Sequence, residues 1–184
     1  LTGVVVDSLK QHGTDITQRE KEILQLAGLL HDVGHMAFSH LFDYMLEENG
    51  YDLLHEERSI IILKDINIRL QLLSDIEILQ ISNMIRGYIP TNVIKTFMYE
   101  IINNKSFGID VDRLDYLQRD SYHTGMPGFQ PDYLISCMRV KNGRLALLKK
   151  SKPEVELLFE TRKRLLTIVC RHKSVISIEQ LIRQ

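Results

Sequence analysis

Three of the chain's seven histidines and two aspartates fall within one short stretch, Leu30-His31-Asp32-Val33-Gly34-His35 continuing to Phe38-Ser39-His40-Leu41-Phe42-Asp43. No other feature limits the possible folds so strongly. Leu26, Leu29, Leu30 and Phe38 surround these groups and set them against an expected core, where an unpaired charge is costly. Neighbouring imidazole and carboxylate groups form a ligand set for a borderline divalent cation, which would relieve that cost and generate a hydrolytic nucleophile.

Helical periodicity dominates the remainder. Thr17-Gln18-Arg19-Glu20 has the form of a capping box, and Ile23, Leu26, Ala27 and Leu30 follow at helical spacing. That helix delivers His31 and Asp32 at its end, where Gly34 is expected to stop it. Ser39 is expected to cap the next helix, which carries His40, Phe42, Asp43, Met45 and Leu46 as far as Asn49-Gly50. Further helices are predicted over 55–64, 75–86, 97–103 and 110–123. Met138 to Leu148 reads as a hairpin turning at Asn142-Gly143. Ser151-Lys152-Pro153-Glu154 opens a long C-terminal helix with serine capping. Its Leu157, Leu158, Leu165, Ile168 and Val169 are compatible with packing or with dimer contacts. The predicted fold class is mainly α, with a small β-hairpin.

With 184 residues, 44% of them apolar, one sizeable core and a single domain over 1–184 are expected. The chain starts at Leu1 inside an apolar run and stops within a helical pattern, so truncation at both ends is expected. A formal net charge of −1 gives no support for electrostatically driven nucleic-acid binding. Cys137 and Cys170 imply no disulfide framework, which points to an intracellular location, cytoplasmic or nuclear. No apolar run approaches the roughly 20 residues of a membrane span.

Three other constellations carry possible chemistry. Asp112, Tyr116, Arg119, Asp120 and His123 share one helical stripe, which suits a phosphate ester or, equally, a solvated ion-paired face. His55 with Glu56, Glu57 and Arg58 reads as a helix start or as an acid–base group. Arg162, Lys163, Arg164, Arg171, His172 and Lys173 form an exposed basic face or a polyphosphate contact, with Arg162 and Lys173 about three turns apart. The i, i+4 pair His31 and His35 fits a zinc protease poorly, because the glutamate base is missing and a glycine intervenes.

The ordered segments Ala27-Gly28-Leu29-Leu30-His31-Asp32-Val33-Gly34-His35, Phe38-Ser39-His40-Leu41-Phe42-Asp43 and Asn104-Lys105-Ser106-Phe107-Gly108-Ile109-Asp110-Val111-Asp112-Arg113-Leu114-Asp115-Tyr116 resemble the HD superfamily of metal-dependent phosphohydrolases. Within it they are most similar to the deoxynucleoside triphosphate triphosphohydrolase branch, over about Leu24 to Lys173. The resemblance implies an HD-domain helical bundle. His31, Asp32 and Asp112 would bind one divalent metal ion: iron, manganese or zinc, with magnesium only in company with nucleotide. It places His35, His40 and His55 around the α-phosphate, supported by Asp43. Arg113 would touch phosphate, Tyr116 and Asp120 the deoxyribose, and Arg162 the terminal phosphate. The implied partners are a deoxynucleoside triphosphate substrate, a nucleotide activator and further copies of the chain, as a dimer or tetramer.

The chain also departs from the branch. A further metal-binding histidine, roughly forty residues before the doublet, would precede Leu1. Leu166, Cys170 and Arg171 stand where the branch has a histidine, a tyrosine and a glutamine. Two alternatives follow: a different nucleotide substrate (a monophosphate, an alarmone or a cyclic nucleotide), or a catalytically impaired nucleotide-sensing module.

Overall fold

A computed structural model describes residues 1–183. Its ten α-helices are α1 (Thr2–Gln11), α2 (Gln18–Leu30), α3 (His40–Glu48), α4 (His55–Leu70), α5 (Asp75–Arg86), α6 (Phe97–Ile102), α7 (Val111–Thr124), α8 (Asp132–Ser136), α9 (Lys152–Leu165) and α10 (Lys173–Ile182). Strands β1 (Met138–Lys141) and β2 (Arg144–Leu147) lie between α8 and α9. No described helix is long and apolar enough to cross a membrane.

All six residues of α6 are buried, and this short helix is the hub of the bundle. It packs against α1, α2, α5, α7 and β2. Val5, Val6 and Leu9 of α1 and Ile23, Leu24 and Ala27 of α2 join Leu114 and Leu117 of α7 in the same core. Each set recurs at the three- and four-residue spacing that keeps side chains on one helical face.

Local chemistry explains several of the boundaries. Thr17 Oγ1 accepts from Glu20 N at 3.1 Å while Glu20 Oε2 accepts from Thr17 N at 2.8 Å, so the capping box at α2 is complete. In the hairpin, Lys141 pairs with Arg144 and Met138 with Leu147. Asn142 (φ 53°) and Gly143 (φ 74°) are both left-handed, as a two-residue turn of this hand requires. A Cβ on Gly143 would lie 2.2 Å from the Ile94 carbonyl oxygen, so glycine also permits close approach there.

Several expectations need correction. The helix α1 was not among the expected elements: it has no side-chain cap at Leu1 to mark its start. Ser39 does not cap α3: its backbone is left-handed (φ 50°) and its side chain makes no capping bond. Ser151 does not cap α9 either, because its hydroxyl donates to the Leu148 carbonyl. The long C-terminal helix breaks after Leu165 into a π-helical turn, Leu166–Cys170, before α10. The β-branched run Thr167-Ile168-Val169 weakens helix there, and His172 caps the new helix by accepting from Ser174 N. Lys173 therefore does not share a helix with Arg162. Of the apolar residues flanking the doublet, Leu26 and Leu30 pack on the core, whereas Leu29 and Phe38 are exposed.

Candidate metal centre and histidine cluster

The turn that follows α2 is clamped from α4. Ser59, fully buried, donates from its hydroxyl to the His31 carbonyl at 2.8 Å and accepts from Gly34 N at 2.9 Å. Gly34 was expected only to end a helix. Its requirement is tighter, since a Cβ would lie 2.2 Å from the His55 carbonyl oxygen and 2.4 Å from Ser59 N.

Asp112 arrives from the opposite side, in the first turn of α7, where a carboxylate complements the helix dipole. Buried Asp110 sets that entry. It accepts from Arg113 N and Asn104 N, each at 3.0 Å, and pairs with the Arg113 guanidinium at 2.6 Å.

The two segments converge. His31 Nε2 lies 3.3 Å from Asp32 Oδ2 and 3.4 Å from Asp112 Oδ1. Neither contact has hydrogen-bond geometry, so the buried Nε2 lacks a partner. Nδ1 is 2.9 Å from the Gly28 carbonyl, which can only accept. The Nδ1 proton is thereby fixed, and Nε2 is aimed at the carboxylates. Burial opposes charging this imidazole, yet Asp112 and Asp32 outweigh it and push the pKa up to about 9. A site that draws a proton so strongly also favours a metal cation. Two ligands about 2.1 Å from one ion, at ordinary coordination angles, lie about 3.0–3.4 Å apart. One imidazole and two carboxylates with these spacings could hold a divalent ion.

A second cluster adjoins the first. The rings of His35 and His55 stack with centroids 3.9 Å apart, and His40 stands edge-on to both at 5.0 and 5.3 Å. His55 Nδ1 donates to Asp43 Oδ2 at 2.8 Å, while His40 Nδ1 is 3.6 Å from the same oxygen. Burial alone would favour neutral Asp43, but Arg58 and His55 hold its carboxyl below the usual range. Burial, aided by His55, lowers the pKa of His35. His35 Nε2 is 3.7 Å from Asp32 Oδ1, which links the clusters.

His31, Asp32, His40, His55, Asp112 and Arg113 line a common cleft of about 220 Å³. A larger groove of about 660 Å³ between α4 and α5 contains no histidine and no comparable convergence of donors. Chemistry rather than size therefore locates the candidate site.

The other expected groups separate. Tyr116, one turn beyond Asp112, accepts from Arg162 Nε of α9 at 3.2 Å, and both lie outside the cleft lining. Asp120 contacts Arg119 at 3.3 Å, and Arg119 also pairs with Asp115 at 3.2 Å. Arg119 and His123 are exposed, so the far end of the predicted stripe is a solvated face. On α9, Lys163 is exposed and Arg164 pairs with Glu160, leaving Arg162 as the basic residue facing α7. Ser59 carries no motif signal of its own, and Arg58 is marked in the sequence only by its place beside His55, Glu56 and Glu57. Their positions three and four residues after His55, on one helical face, were the available signal.

The HD domain family matches residues 5–120. A deoxynucleoside triphosphate triphosphohydrolase SAMHD1 homolog from Dictyostelium discoideum is 35% identical, covering 99% of this chain and 37% of that protein. The SAMHD1 protein of Gallus gallus is 36% identical over 68% of this chain and 25% of its own length. The chain thus spans well under half of these relatives. The crystal structure of a phosphohydrolase from Bacteroides thetaiotaomicron superposes with a TM-score of 0.83 at 25% identity, covering 99% of this chain and 42% of that one. With the family match extending over most of its length, and a histidine–aspartate doublet meeting a distant aspartate in the fold, this chain belongs to the HD-domain family.

Proposed function

We propose that this chain forms the core of a metal-dependent hydrolase that converts deoxynucleoside triphosphates to deoxynucleoside and inorganic triphosphate. The observation that carries the reading is the partnerless His31 Nε2, set between Asp32 and Asp112 at 3.3 and 3.4 Å. The names of the Dictyostelium and Gallus relatives supply the substrate class.

In this reading His31, Asp32 and Asp112 hold one divalent ion, and the mixed imidazole–carboxylate set favours iron, manganese or zinc over magnesium. When bound, such an ion polarises a phosphoryl oxygen and lowers the pKa of coordinated water. Arg113 and Arg162 orient the phosphates, so positioning and charge provide most of the rate. Tyr116 and Asp120 face the deoxyribose. Asp43 fixes the Nδ1 proton of His55, leaving Nε2 to exchange a proton at the leaving 5′-oxygen, a step typically contributing about 10²- to 10⁴-fold. Burial favours a neutral His35, whose one ring N–H can donate to an α-phosphate oxygen.

The test is product analysis of the full-length protein with a deoxynucleoside triphosphate and manganese. Deoxynucleoside with inorganic triphosphate is expected, and Asp32→Ala should abolish both. Release of monophosphate, or an unchanged rate in Asp32→Ala, would contradict the reading. Leu166, Cys170 and Arg171, standing where the branch this chain resembles has a histidine, a tyrosine and a glutamine, favour a second reading as a nucleotide-sensing module. Absence of product in that assay together with nucleotide binding in a calorimetric titration would select it.

A further inference from the structure

All three guanidinium nitrogens of Arg58 are engaged, each by a different segment. Nε donates to the Gly34 carbonyl at 2.8 Å, Nη2 donates to Asp43 Oδ1 at 2.6 Å, and Nη1 donates to the Leu53 carbonyl. The group also lies over the Phe42 ring, 5.5 Å from its centroid, and its side chain is only 12% exposed. One planar cation thus ties together the turn bearing His31 and Asp32, the start of α3, and the loop before α4.

The consequence lies in how Asp43 divides its oxygens. Arg58 takes Oδ1, leaving Oδ2 to choose between His55 at 2.8 Å and His40 at 3.6 Å. With Oδ1 pinned, the carboxylate serves His55. Free to rotate, the same carboxylate could turn to His40, which stands in the same helix three residues before it. Four side chains here, His35, His40, Asp43 and His55, have donor atoms near enough together to suit a metal. The fixed charge of Arg58 beside Asp43 already fills a cation's role and disfavours an ion among them.

We propose that Arg58 is a positioning residue, directing Asp43 to His55 rather than His40. This rests on the hydrolase reading for its consequence in turnover, but not for the hydrogen-bond arrangement itself. Lysine cannot replace it, because an ammonium is a point donor that does not span three acceptors in one plane.

Arg58→Gln, Arg58→Lys, Asp43→Asn and Asp43→Asn/Arg58→Gln in the full-length protein test the proposal, with folding checked by thermal unfolding. Manganese and a deoxynucleoside triphosphate are the probes. Arg58→Gln should lower kcat by about 10²-fold, the scale of a misplaced catalytic group, with KM nearly unchanged. Guanidinium ion at millimolar concentration should restore part of the loss. Arg58→Lys, which keeps charge and fold, should stay at least about tenfold below wild type. The double variant should be no slower than Asp43→Asn alone, because Arg58 acts through Asp43. Wild-type kcat in either Arg58 variant, or losses that multiply in the double variant, would overturn the proposal. Histidine ¹⁵N NMR separates it from the hydrolase reading. The His55 Nδ1 proton bonded to Asp43 should be present in wild type and lost in the Arg58 variants, whether or not triphosphate is released. Its retention in them would also overturn the proposal.

Discussion

Gly34 illustrates how a residue can be read correctly as special and for the wrong reason. The sequence suggested a helix stop, but the structure needs the missing side chain so that the His31–Gly34 turn can touch the first turn of α4. The atoms a Cβ would meet are backbone, at 2.2 and 2.4 Å, and cannot move aside cheaply. Gly34→Ala should therefore cost about 3 kcal/mol of stability, measured by denaturant unfolding. His31 gives a second prediction. Burial opposes its charging, but Asp112 and Asp32 push the pKa up from 6.5 to about 9 when no metal is bound, so the folded state holds the proton more tightly than the unfolded state. Its contribution to stability is complete below about pH 6.5 and is lost as pH rises towards 9. Thermal unfolding between those limits checks the sign, and His31→Gln should remove this component. The residue types at the doublet were legible because imidazole beside carboxylate in an apolar setting has few uses. The Arg58 contacts were not, because nothing in the sequence says which carbonyls a guanidinium will reach.

Among the elements, α4 does more than carry His55. Ser59 joins the His31 carbonyl to the Gly34 amide, so the helix dictates the shape of the turn that presents His31 and Asp32. Ser59→Ala should cost about 1–3 kcal/mol by leaving the buried Gly34 amide without a partner. It should also weaken divalent-metal affinity by about 10- to 100-fold, as loss of supporting contacts around a metal site typically does. Calorimetric metal titration reads the second effect. Elements with strong local signals were legible: the capping box of α2, the α5 boundaries at 75–86 and the Asn142-Gly143 hairpin all form as expected. Ser39 and Ser151 had the right side chain for a cap, but their hydroxyls make no capping bond. The break at 166–172 contains neither glycine nor proline, so only its β-branched run hinted at it.

Across the whole molecule, the central event is the meeting of α2 and α7 around α6, which brings Asp112 to a doublet far away in sequence. Periodicity identified both helices but could not tell that Asp112 would face His31 while Arg119 and His123 face water. That information came from resemblance, and the packing of Leu114 and Leu117 into the shared core is its physical basis. The HD-domain fold is thus a frame that brings one imidazole and two carboxylates together between two helix ends. Metal content of the purified full-length protein, compared with Asp112→Ala, tests this most directly. About one divalent ion per chain is expected in wild type, and loss of that ion from a still-folded variant, as follows from removing one of three protein ligands. A variant that keeps its ion, or a wild type that binds none when saturated with manganese, iron or zinc, would contradict the account.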